Sequence, residues 1–186
     1  MSAMNEKTKV KIRAIRSAKE VARTAVFVAA VIGAQYALSA VPFVETVTVL
    51  FVCYAYVFGA VRGTAAAVAF SFLRQLLFGF YPVVLVLYLV HFSLLSVVFG
   101  ALGRQGRASD LRLAAVAALL AVLLTVGFSL LDNLLTPLYY SYTPKAARMY
   151  FLASLPFMIG QSACVGVTVA LLFFPLTKAF FFVKNA

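Results

Sequence analysis

Apolar positions in this chain fall in long unbroken runs, and polar positions collect in the short stretches between them. The first run extends from Ala22 to Val41 and stops at Pro42. The second opens on Phe43-Val44-Glu45 and continues to Ala60, where Val61-Arg62-Gly63 reads as a very short turn. A third run covers Thr64 to Phe78, and the break Gly79-Phe80-Tyr81-Pro82 separates it from a fourth, Val83 to Leu102. The clearest loop is Gly103 to Arg112, followed by a fifth run from Leu113 to Leu135. Thr136 to Lys145, with Pro137, Pro144 and a tyrosine cluster, reads as a second long loop before a sixth run from Tyr150 to Pro175. A helix needs about 20 apolar residues to cross a bilayer, and these runs are near that length. Barrel strands alternate apolar and polar positions, so continuous runs exclude an outer-membrane barrel. The pattern predicts an all-α polytopic membrane protein: a basic leader over residues 1–21, then a domain of six transmembrane helices over 22–186.

Composition agrees with this. Hydrophobic residues make up 65% of the 186 and charged residues only 11%, whereas a soluble domain needs about a quarter charged. Mean hydropathy is +1.04. The net charge of +11 raises nucleic acid as a partner, but its placement argues for topology instead. With the amino terminus inside, the cytoplasmic side holds Lys7, Lys9, Lys11, Arg13, Arg16, Lys19, Arg23, Arg62, Arg104, Arg107, Arg112, Lys178 and Lys184. The outside holds Lys145 and Arg148, and Arg74 lies within a span. This positive-inside bias requires an even number of spans and puts both termini in the cytoplasm, in a bacterial or archaeal plasma membrane. The tyrosines at 139–142 fit an outer interfacial belt. The leader reads either as an amphipathic helix on the inner leaflet or as an extension of the first span; it is too long and too basic for a cleavable signal. Cys53 and Cys164 lie far apart within apolar runs, with no disulfide or metal-ligand spacing. No internal repeat is evident, which disfavours an inverted-repeat transporter.

An ionisable group in mid-membrane costs about 2.5–3.5 kcal/mol on insertion scales, so each needs a reason. Glu45, Arg74, His91 and Asp132, with the neutral Gln35, Gln75, Asn133 and Gln161, are the candidates. At about 1.5 Å rise per residue, most of them fall towards the outer side, as in a solute pocket open to the exterior. Structural readings stand beside this one. Arg74 pairs with Glu45 or Asp132 between helices; Glu45 caps the second helix; His91 is a packing residue; Asn133 and Gln161 bond across helices. The first span carries small residues at four-residue spacing, Ala25, Ala29, Gly33 and Ala37 after Ala14, Ala18 and Ala22, which allows close approach of another helix. There is one histidine, no HExxH, no CxxC and no Walker loop. The spans hold too few acids for a metal-dependent enzyme, and no cofactor is implied.

In span number, size and the first-span alanine spacing, the chain resembles the substrate-binding S components of energy-coupling factor (ECF) vitamin transporters. Pro42-Phe43-Val44-Glu45-Thr46-Val47-Thr48 is similar to the P-x-x-E-x-x-(T/S) segment that leads into their second helix, and Phe58-Gly59 to the pair near its exit. Leu155-Pro156-Phe157 and Pro175-Leu176 add to the likeness. The resemblance implies a protein without ATPase activity that captures a vitamin-like solute from outside. A transmembrane coupling subunit and two cytoplasmic ATPase subunits would complete the importer. It implies further that the coupling subunit docks on first-helix alanines, here Ala25 and Ala29 in preference to Ala18 and Ala22. Glu45, Arg74, Asp132, Asn133 and Gln161 then supply polar contacts to the solute, with Tyr81, Tyr139 and Tyr140 as aromatic walls. Tryptophan is absent, so Tyr and Phe must do any stacking. A membrane scaffold of the cell-shape type, MreD-like, with protein partners and no solute, is the alternative.

Overall fold

The structure is a computed structural model and describes residues 18–39, 46–105 and 111–185. The described residues form six α-helices and no strand: α1 (Ala18–Leu38), α2 (Val47–Phe58), α3 (Ala60–Phe78), α4 (Pro82–Leu102), α5 (Leu111–Tyr139) and α6 (Pro144–Asn185), with a 3-10 turn at Gly103–Gln105. Among them α1, α4, α5 and α6 are long and apolar enough to cross a membrane. This is an all-helical membrane protein. Most of the expected leader lies outside the described residues, as does the Pro42–Glu45 segment; the chain is already helical at Ala18.

Three expected boundaries shift, each for a local reason. Gly59 has φ +89°, a backbone conformation open to glycine and strained for other residues. It closes α2, its N–H donating to Ala55 O at 2.8 Å, and at once starts α3, where Gly63 N donates to Gly59 O at 3.0 Å. Val61-Arg62-Gly63 is therefore the first turn of α3 and no loop. The expected long loop after residue 135 is likewise helical: α5 runs through Pro137 to Tyr139, and α6 opens with Pro144 in its first turn. The connection shrinks to four residues, turned by Ser141 at φ +51°. Finally, α6 is 42 residues long and passes through Pro156 and Pro175, which transmembrane helices tolerate when neighbours satisfy the freed carbonyls.

The centre of the bundle is α2. It is apolar on every side, and a helix without a polar face belongs in a core; all its residues but Leu50 are buried. Phe51 meets Phe27 at 5.3 Å, Phe70 at 5.3 Å and Phe92 at 4.7 Å between ring centroids, and Tyr54 stacks on Phe27 at 3.9 Å. In lipid such packing, and not exclusion of water, holds helices together. Small residues bring α4 close to its neighbours: Gly100 lies against the Ala60 backbone and Gly103 against the Tyr56 carbonyl.

The helices alternate in direction, so the bundle has two distinct ends. At one, Glu20 of α1 pairs with Arg62 of α3, Thr24 shares a 3.0 Å hydrogen bond with Tyr54, and Lys184 of α6 donates to Val57 O at 2.8 Å. The starts of α1 and α3 and the ends of α2, α4 and α6 meet there. At the other end Tyr36 approaches Phe78, and the end of α5 meets the start of α6.

Gly100→Ala should lower the melting temperature of the purified protein, because its Cβ has to displace the α3 backbone; such overpacking costs about 1–3 kcal/mol. Gly33→Ala faces open space and should leave melting unchanged or slightly raised, alanine being the better helix former.

Candidate functional site

Length alone places the inner end of a polar site. Twelve residues of α2 extend only about 18 Å, so its first turn ends well inside the bundle. Val47 and Thr48 there share a small cavity with Tyr88, His91 and Phe92 of α4, Thr125 and Phe128 of α5, and Gln161 of α6. His91, Thr125 and Gln161 each lie mid-way along their own helices. Thr46, which precedes the helix, makes no side-chain capping bond.

Tyr88 joins this cavity to a second group nearer the open end of the bundle. Its hydroxyl accepts from Gln35 Nε2 at 3.5 Å, and the Arg74 guanidinium lies over its ring, 4.4 Å from the centroid, and 5.3 Å from that of Phe78. Stacking on aromatic faces is worth about 2 kcal/mol for a desolvated cation, which accounts for an arginine here. Among the described residues Arg74 has no carboxylate partner, and Arg74 Nε and Gln35 Oε1 are buried without a hydrogen bond. Buried polar atoms of this kind are uncommon, and two of them flank one tyrosine.

The expected site residues thus divide. Arg74 lies over the Tyr88 ring, and Gln161 lines the small cavity together with Tyr88. Asp132 and Asn133 belong to the α5–α6 seam: Asp132 accepts from Thr136 at 2.6 Å and from Tyr150 at 2.9 Å, and Asn133 Oδ1 accepts from Ser154 at 2.9 Å. The structural reading of Asn133, a hydrogen bond across helices, matches this geometry; an Arg74–Asp132 ion pair does not form. Tyr81, Tyr139 and Tyr140 are exposed. Tyr81 contributes its backbone N–H, held by Gln75 Oε1 at 2.9 Å, while Tyr139 borders an apolar groove of about 300 Å³ with Pro82, Val83, Val86, Leu135 and Leu138. Tyr139, Tyr140, Tyr142 and Tyr150 follow one another at 5.0–6.2 Å. Glu45 lies outside the described residues. Tyr88, Thr48 and Thr125 were not among the expected site residues; the signal that points to Tyr88 is its spacing of three from His91, which puts both on one face of α4.

A second surface lies on the outside of the bundle. Between α1 and α3 runs an apolar groove of about 870 Å³ whose floor includes Ala25, Ala29 and Gly33 on one side and Ala65 and Ala69 on the other, with Tyr36, Leu73, Leu76 and Leu77 towards one end. Ala25 and Ala29 are exposed in it. No group of three metal-ligating side chains occurs among the described residues.

The fold and these two surfaces define an integral membrane protein with a polar interior site and a helix-sized apolar groove. No protein-family model matches the chain, and no curated protein or solved structure is similar to it.

The α5–α6 seam yields a stability prediction. Hydrogen bonds to a charged group contribute about 1.5–3 kcal/mol, so Tyr150→Phe and Asp132→Ala should each lower unfolding stability in detergent. A double-mutant cycle should return a coupling of at least about 1 kcal/mol; independent effects would mean that the two do not act together.

Proposed function

We propose that this chain is the solute-binding S component of an ECF-type ATP-driven importer, capturing a vitamin or related micronutrient from the extracellular side. All six helices then traverse or re-enter the bilayer from alternate sides, and both termini lie in the cytoplasm of a bacterial or archaeal cell. The basic end of the bundle, with Lys19, Arg23, Arg62, Arg104, Lys178 and Lys184, faces inward under the positive-inside rule. The Tyr88 group then opens outward.

The observation that carries this reading is the separation of two surfaces. Hydrogen-bonding groups gather inside the bundle around Tyr88, and a mainly apolar groove with small residues in its floor lies outside it. An importer subunit that holds solute but has no ATPase of its own needs both: a site for the solute and a seat for a transmembrane coupling subunit, which carries the two cytoplasmic ATPase subunits. Ala25 and Ala29 supply that seat, since a partner backbone approaches closely only where side chains are small. Arg74 and Gln161 supply polar contacts to the solute, and Tyr88 rather than the exposed Tyr81, Tyr139 and Tyr140 forms the wall between them. Asp132 and Asn133 serve the helix pair.

The groove by itself equally suits an MreD-like scaffold, which binds membrane partners and needs no interior polar site. Affinity capture of the tagged full chain from its native membranes separates the two. ATPase subunits and a polytopic coupling protein should be recovered with it, and Ala29→Trp, pointing into the groove, should abolish their recovery without lowering the melting temperature. Recovery of cell-wall elongation proteins instead would favour the scaffold. Micronutrients should raise the melting temperature of the wild-type protein, and Arg74→Ala should reduce that shift.

A further inference from the structure

We infer that the solute is an anion whose carboxylate docks on Arg74, with Gln35 accepting from an N–H or O–H group beside that carboxylate; this rests on the solute-capture reading above. A cation within a membrane needs both its charge and its N–H groups answered. At the opposite end of the bundle Arg62 has Glu20, and Lys184 has the Val57 carbonyl. Arg74 instead has aromatic rings, those of Tyr88 and Phe78 at 4.4 and 5.3 Å from its Cζ. Ring faces favour the charge but give the five N–H donors of a guanidinium no oxygen to bond. Arg74 Nε is buried without a hydrogen bond. Among the described residues no carboxylate pairs with Arg74, and Asp132 is taken by Thr136 and Tyr150.

The surroundings hold the guanidinium in place. Phe70, Phe92 and Phe128 fix the Tyr88 ring at 5.3–5.9 Å, and Tyr36 packs 6.1 Å from Phe78. Gln75 Oε1 holds the Tyr81 N–H at 2.9 Å, which ties this turn of α3 to the start of α4. A planar fork positioned beforehand matches the two oxygens of a carboxylate. Charge sets the class of anion. The other Lys and Arg residues of α1 to α4, Lys19, Arg23 and Arg62, stand at the opposite end, so Arg74 balances a single negative charge. A carboxylate carries that charge, whereas a phosphate monoester carries about −1.5 to −2. Gln35 adds a second requirement. Its Nε2 donates to the Tyr88 hydroxyl at 3.5 Å, while its Oε1 is buried without a hydrogen bond. An ionised carboxylate only accepts, so the donor for Gln35 comes from a neighbouring group of the solute. Arg74 and Gln35 are each half-buried and about one turn from the ends of their helices, Phe78 and Leu38. In the proposed orientation that end faces the exterior.

Matched probes test this on the purified full chain. Thermal shift and calorimetric titration at neutral pH would compare pantothenate with panthenol, biotin with biotin amide, lipoate with lipoamide and nicotinate with nicotinamide, beside thiamine, riboflavin and pyridoxine. At least one acid should stabilise the wild-type protein, and more than its uncharged analogue does. Arg74→Gln should weaken that acid at least about tenfold and abolish the preference, with Arg74→Lys restoring part of it. Gln35→Leu should weaken the same acid about fivefold and keep the preference. Melting of Glu45→Gln, Arg74→Gln and the double variant asks whether Arg74 serves a carboxylate of the chain itself. Additive effects are expected, and coupling between the two overturns the anion assignment. Binding of an uncharged or cationic probe in preference to every acid, or an acid preference that survives Arg74→Gln, overturns it too while leaving solute capture standing. If no probe shifts the wild-type protein, solute capture fails and the anion site with it.

Discussion

The architecture turns on α2, a helix with no polar face that is also too short to cross the hydrocarbon layer. Its Phe51 and Tyr54 hold rings from α1, α3 and α4 around them, and its lower end is fastened where Lys184 reaches Val57 O. Because Gly59 ends the helix there and only twelve residues precede it, the upper end stops in mid-bundle. The small cavity beside that helix start is lined by Thr48, Tyr88, His91, Thr125 and Gln161 among others.

The same desolvation constraint is met in three ways by the other intramembrane polar groups. Asp132 takes two hydroxyl donors across the α5–α6 seam, so its charge is solvated by the protein. Arg74 lies on aromatic rings, which stabilise a cation without a carboxylate. His91 keeps neither a hydrogen bond nor a counter-charge among the described residues. Only the first arrangement is complete in itself, since the Arg74 Nε stays buried without a hydrogen bond.

Helix α1 belongs to both surfaces. Its Gln35 touches Tyr88 at the polar site, while Ala25, Ala29 and Gly33, on another face, floor the outer groove. In the proposed importer, any movement of α1 on docking therefore reaches the solute site through one hydrogen bond and one aromatic ring. Opposite, the Glu20–Arg62 pair ties the start of α1 to α3.

Much of the fold was legible in local sequence. Six apolar runs became six helices, and Gly79 to Pro82 became the break it resembled, because helix formation and its interruption by glycine or proline depend on neighbouring residues. Pro137 misled, since a proline stops a helix only when nothing satisfies the carbonyl it frees, and that depends on surrounding helices. Gly59 was a stronger stop than Arg62-Gly63, a distinction made by backbone dihedrals. The candidate site was legible as a set of residue types and not as a set of partners. Arg74, Asp132 and Gln161 all stood out as polar groups in apolar runs, yet which of them face each other depends on the rotation of each helix about its axis. That rotation is decided by side chains packing from residues far apart in the chain. Tertiary packing turned Asp132 toward Tyr150, laid Arg74 on Tyr88 and brought Gln161 to His91; the sequence alone determined that each of these groups would need a partner in a medium without water.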